Sequence, residues 1–135
     1  MCENCGCENL GKPIQYECEC SENECSCGVI EFDEEPNLIK KKILSAFTGG
    51  RRNAEEQRKL GGQPEVCMVY KLMEFSFEDD DTVLSERYTR CITGKMLCGQ
   101  CKKEVAEKVL NFVDNHNKTK KNMISLAKKL LSHKN

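Results

Sequence analysis

The sequence predicts an all-α body of five or six bundled helices, residues 34–135, behind a small irregular or β-containing cysteine-rich segment, residues 1–33. Three observations carry this. Beyond Pro36 the apolar residues recur at helical spacing and are punctuated by Pro, Gly and Asn/Asp. The charge is divided: residues 1–36 hold ten acids and one base, residues 37–135 twenty bases and twelve acids. The 11 cysteines divide as well, seven within residues 2–27 and four within residues 67–101.

These divisions bound the function. A chain of 135 residues with no Trp and 39% hydrophobic content has enough apolar surface for one helical domain of modest size. Metal binding would add to its folding free energy. No apolar leader-like stretch follows Met1, and no run nears the roughly 20 apolar residues that cross a bilayer. A cytoplasmic location with no membrane partner is therefore expected. Thiols stay reduced there, and clustered cysteines bind metal more often than they pair as disulfides. The basic body suits a polyanion partner.

In order along the chain, residues 1–35 show no helical period, although Tyr16 and Val29–Phe32 suit two short strands. Pro36 opens a first helix behind Glu34 and Glu35, which match the positive end of its dipole. Leu38, Ile39, Ile43, Leu44 and Phe47 form its inward face, and Thr48-Gly49-Gly50 stops it. Asn53 and Glu56 are spaced as a capping box for a short second helix ending at Gly61-Gly62. Pro64 opens a third, with Val66, Val69, Tyr70, Met73 and Phe77 inward. Asp80 or Asp81 caps a fourth, with Val83, Leu84, Tyr88 and Cys91 inward and Gly94 as its stop. A link through Cys98 leads to a fifth helix from about 99 to 115, with Cys101, Val105, Val109, Phe112 and Val113 inward. A break over Asn115–Thr119 is expected before a sixth, whose apolar face is Met123, Ile124, Ala127, Leu130 and Leu131.

Cys67, Cys91, Cys98 and Cys101 follow the pattern C-x23-C-x6-C-x2-C. On this reading they sit at helix ends, and helix N-termini favour thiolates. Four thiolates from three segments make a closed site that suits an iron–sulfur cluster or a structural zinc. Zinc sites more often use two close pairs, and only one is present. The bland alternative is that Cys67 and Cys91 are small buried hydrophobes.

The stretches "IKKKILSAFTGGRRNAEEQRKLGGQPEVC" (39–67), "FEDDD" (77–81) and "ITGKMLCGQCKKEVAEKVLNFVDNH" (92–116) resemble the C-terminal, anticodon-binding helical domain of tryptophanyl-tRNA synthetase in its archaeal and eukaryote-like branch. The resemblance covers about residues 33–117. It implies a 4Fe-4S cluster on Cys67, Cys91, Cys98 and Cys101, as in a subset of that family, and so favours the cluster over zinc. The first gap here is one residue longer than in that subset.

The resemblance also implies tRNA, tRNA-Trp in particular, as a partner, with Arg51, Arg52, Lys102 and Lys103 as contacts. A solvated helix face is the competing reading for these side chains. A HIGH-type motif, a KMSKS-type loop and a P-loop are missing from the 135 residues. The chain is therefore not expected to aminoacylate tRNA on its own, and no catalytic residue is assigned. A full-length or split synthetase is the further partner expected.

The head carries Cys2, Cys5, Cys7, Cys18, Cys20, Cys25 and Cys27, including three Cys-x-Cys pairs. Its CxxCGC start resembles the nickel-binding stretch of hydrogenase-maturation GTPases over seven residues only, and the Cys-x-Cys pairs are metallothionein-like. Zinc or another soft metal is expected there. Three functions compete: a tRNA-binding module, a metal-binding or metal-responsive protein working through the head, and a fragment of a split tryptophan-tRNA ligase. The first is the expectation taken forward.

Overall fold

A computed structural model describes residues 30–133. It comprises five α-helices: α1 (Pro36–Ser45), α2 (Ala54–Leu60), α3 (Met68–Leu72), α4 (Asp81–Ile92) and α5 (Cys98–Ser132). A 3-10 turn, Pro64–Val66, precedes α3, and a π-helical turn, Met73–Phe77, prolongs it. No strand occurs among the described residues, and none of their helices is long and apolar enough to cross a membrane. The expectations made for residues 1–29, including the strand at Tyr16 and the seven-cysteine metal site, lie outside the described residues.

The helix boundaries follow from local chemistry. Pro36 occupies the first turn of α1. The Asn53 side chain accepts from the Glu56 N–H at 2.9 Å and so caps α2. Glu56 does not close the box on Asn53; it accepts instead from the Arg52 N–H at 3.2 Å. Asp80 caps α4 through the Thr82 N–H at 2.8 Å. Gly94 ends α4 with φ +69°, in the left-handed region that glycine enters without a Cβ penalty.

The core lies between α1 and the N-terminal half of α5, closed by α3 and its π turn. Ile39, Ile43, Val69, Met73, Val105, Val109 and Val113 are buried there. α1 and α5 run antiparallel: Lys102 donates to the Leu44 carbonyl at one end, and Asn117 donates to the carbonyl of Phe32, just ahead of α1, at the other. Leu44, Val66, Val83 and Phe112, expected inward, are at least a third exposed, whereas Met96, read as linker, is buried.

Two further expectations are corrected. Residues 30–32, expected in a short strand over Val29–Phe32, are not strand. The break over Asn115–Thr119 and the separate sixth helix do not occur, because α5 runs unbroken from Cys98 to Ser132. The polar run holds no Gly or Pro to interrupt it. Its side chains also find partners that leave the helix intact. Lys118 pairs with Asp114 at 2.6 Å one turn back, and Asn117 binds the Phe32 carbonyl at 2.8 Å.

Candidate metal centre and nucleic-acid interface

The four body cysteines come from three places and meet at one. Cys67 is the N-cap of α3, and its sulfur accepts from the Tyr70 N–H at 3.5 Å. Cys91 lies in the last turn of α4. Cys98 opens α5 instead of sitting in the connector, and Cys101 lies in the first turn of α5. All four are free thiols and line a single cavity of about 20 Å³, together with Thr48, Gly49, Tyr70, Arg87 and Met96.

Two glycines allow the chain to pass this close. A Cβ on Gly50 would lie 2.5 Å from the Cys98 sulfur, and one on Gly62 would lie 2.8 Å from that of Cys91 and 2.7 Å from Gln57 Nε2. Gln57 is buried; its Oε1 accepts from the Arg51 N–H at 2.8 Å, while Nε2 has no hydrogen-bond partner among the described residues.

Burial, then the charges of Cys67, Cys98 and Cys101, push the Cys91 thiol up to about 11. Burial also raises Cys101, against the opposing pull of the Arg87 guanidinium. Like-charge repulsion among grouped thiols is the electrostatic condition that a bound cation relieves. Among the described residues no carboxylate or imidazole belongs to the cavity lining. Among the described residues no three His, Cys, Asp or Glu side chains are drawn together tightly enough to hold an ion as they stand. Filling the site therefore requires the thiols to close on an ion or the walls to part around a larger group.

Arg87 is the residue that sequence reasoning missed. Its Nη1 donates to the Cys101 sulfur at 3.3 Å and its Nη2 to Glu104 at 3.2 Å, while Nε is buried with no hydrogen-bond partner among the described residues. An arginine on an amphipathic helix carries no sign of this in one dimension; only the packing of α4 on α5 reveals it.

The four basic residues expected at a polyanion surface separate. Arg51 and Lys103 are exposed and line one open groove with Asn53, Gln57, Cys98 and Gln100, directly beside the thiol cavity. Arg51 is braced by its Nε, which donates to the Gly61 carbonyl at 2.8 Å. Arg52 is exposed on the same loop and is not among the groove residues. Lys102 is half-buried, with its ammonium donating to the Leu44 carbonyl at 2.8 Å.

A family profile described as tRNA synthetases class I (W and Y) matches residues 20–114, which includes the last cysteines of the head. The tryptophan–tRNA ligase of Thermococcus onnurineus is 46% identical over 93 residues, covering 68% of this chain and 24% of that protein. That of Methanocaldococcus jannaschii is 40% identical over 105 residues, covering 78% and 28%. Among solved structures, the tryptophanyl-tRNA synthetase of Aeropyrum pernix K1 superposes with a TM-score of 0.72 at 39% identity, over 77% of this chain and 28% of that one. The chain spans about a quarter of the length of the curated relatives it matches.

Proposed function

The chain belongs to the class I tRNA synthetases of the W and Y type, and from that premise we propose that its helical body is a tRNA-binding module with a metal centre on four cysteines. The observation that carries the reading is the groove shared by Arg51 and Lys103 next to Cys98. A concave path edged by a guanidinium, an ammonium and side-chain amides offers charge to phosphates and hydrogen bonds to base edges. Its location in a helical part similar to tryptophan–tRNA ligases makes tRNA the polyanion, with tRNA-Trp the first to try.

The metal centre supports that surface. Cys67, Cys91, Cys98 and Cys101 would hold a 4Fe-4S cluster, with zinc as the alternative. The donor set fits either: four thiols, a lining without carboxylates, and one guanidinium to offset negative charge. Bound there, the group would supply cross-links between the start of α3, the end of α4 and the start of α5. Arg51 and Lys103 flank the last of these, so the centre's part would be to fix the groove.

The test is filter binding of tRNA by the purified chain across a salt series. The logarithm of affinity is expected to fall linearly with the logarithm of salt concentration. Absence of tRNA affinity at low salt rejects the reading. Anaerobic purification with metal analysis and a visible spectrum identifies the group on the thiols separately.

A further inference from the structure

Among the described residues Gln57 is the one buried polar residue, 3% exposed, and half of its amide is idle. Oε1 accepts from the Arg51 N–H at 2.8 Å. That donor fixes the amide, because the opposite orientation would set N–H against N–H. Nε2 is left as a buried donor with no hydrogen-bond partner among the described residues. A leucine would fill much the same space without that penalty, so an idle buried donor calls for an acceptor.

An acceptor stands beside it. A Cβ on Gly62 would lie 2.7 Å from Gln57 Nε2 and 2.8 Å from the Cys91 sulfur, so donor and sulfur flank one space that glycine leaves open. The backbone holds them there. The Gly62 N–H donates to the Cys91 carbonyl at 2.9 Å, and a Cβ on Gly94 would lie 2.5 Å from the Gln57 carbonyl. The end of α2 is thus pressed against the end of α4. Two of the other sulfurs already accept an N–H, Cys67 from Tyr70 and Cys101 from Arg87. The Cys91 sulfur forms no hydrogen bond among the described residues.

We propose, resting on the reading of the four cysteines as a metal centre, that Gln57 is a positioning residue of that centre: its Nε2–H donates to the Cys91 sulfur once that sulfur is a metal-bound thiolate. A thiolate is a far better acceptor than a thiol, and four of them on one centre concentrate negative charge that N–H donors offset. The ligand shift that brings the thiols together is small beside the reach of the glutamine side chain, whose other end stays on Arg51. One amide then ties the loop that carries Arg51 to the ligand on α4. The residue lies outside the ligand set and touches the centre only through Cys91.

The experiment uses the full chain loaded with a spin-half isotope of cadmium, a soft divalent ion that thiolates hold as they hold zinc. NMR follows the Gln57 side-chain amide, assigned by its absence from Gln57→Met. The Cβ carbons of Cys67, Cys91, Cys98 and Cys101 report separately whether these four sulfurs hold the ion. On loading, one Nε2 proton is expected to move downfield and to show scalar coupling to cadmium, which passes along an N–H···S–Cd path. In chelator competition, read on the same Cβ carbons, Gln57→Met is expected to hold cadmium about 10–100-fold more weakly, the usual effect of losing an outer partner of a ligand. Cadmium on the four cysteines with the wild-type Gln57 amide unmoved and uncoupled overturns the proposal, even if Gln57→Met binds more weakly, since the glutamine would then act by packing alone. Cβ carbons that do not respond to cadmium overturn the centre itself, and this donor with it.

Discussion

Arg87 Nη1 donates to the Cys101 sulfur at 3.3 Å while Nη2 of the same guanidinium holds Glu104 at 3.2 Å. One side chain from α4 thus sets the position of a thiol and of a carboxylate one turn apart on α5. Charge-assisted hydrogen bonds of this kind are each worth about 1.5–3 kcal/mol when partly buried. Arg87→Gln is therefore expected to cost about 2 kcal/mol in urea unfolding. It should also lower the metal-to-protein ratio after anaerobic purification, because the cationic partner of Cys101 is gone. Unchanged metal content together with unchanged stability would show that the guanidinium is ornamental.

The glycines test the same site from the other side. Adding a methyl at Gly50 places carbon 2.5 Å from the Cys98 sulfur, inside any tolerable contact, so the sulfur must shift. Overpacking of this size costs about 1–3 kcal/mol. Gly50→Ala is expected to lose metal while α1 and the C-terminal half of α5 keep their helicity by circular dichroism. The nearest atom is a side chain, not backbone, which is why loss of the site is expected before loss of the fold.

Acid should loosen the body through three carboxylates. The Lys108 ammonium holds Glu78 below the usual carboxylate range, the Tyr88 hydroxyl does so for Glu65, and backbone N–H groups at the start of α4 do so for Asp80. A carboxylate whose folded pKa is depressed contributes stability that is complete above its unfolded pKa and lost as pH falls through the folded one. The urea midpoint is therefore expected to hold from pH 7 to about 5 and to decline below about 4.3, the unfolded glutamate value. Glu78→Gln should flatten part of that decline. A midpoint independent of pH down to 3 would contradict the three contacts.

Much of this architecture was legible because local chemistry agrees with the tertiary fold. Pro36, Asn53, Asp80 and Gly94 each sit at the boundary their residue type favours. The nearness of Cys91 to Cys98 and Cys101 could also be anticipated, since the link between α4 and α5 is too short to carry them apart, whereas the arrival of Cys67 at the same cavity is a matter of tertiary packing. Two features were not legible. The polar run at Asn115–Thr119 looks like a loop by composition, but it is helical because Asn117 and Lys118 spend their polarity on Phe32 and Asp114. Periodicity alone placed Met123 and Leu130 on one apolar face, yet the described body covers neither. A helical stripe reports what a face is suited to touch and is silent on whether the rest of the chain reaches it.

Lys102 and Lys103 are neighbours with opposite expected roles. The Lys102 ammonium donates to the Leu44 carbonyl at 2.8 Å, in the last turn of α1, where a cation also meets the negative end of the helix dipole. Its charge is committed to joining α1 to α5. Lys103 is exposed on the groove beside Arg51. Lys102→Ala is expected to reduce stability by about 1 kcal/mol, the scale of one such bond, and to leave the salt dependence of tRNA binding nearly unchanged. Lys103→Ala should leave stability within about 0.5 kcal/mol, as surface changes usually do, and lower the salt slope by roughly one phosphate contact. Measuring both variants in both assays separates a structural lysine from a phosphate-binding one. The reverse pattern, with Lys102 carrying the salt slope, would mean that α1 surrenders its cap to RNA and that the groove lies elsewhere on the basic surface.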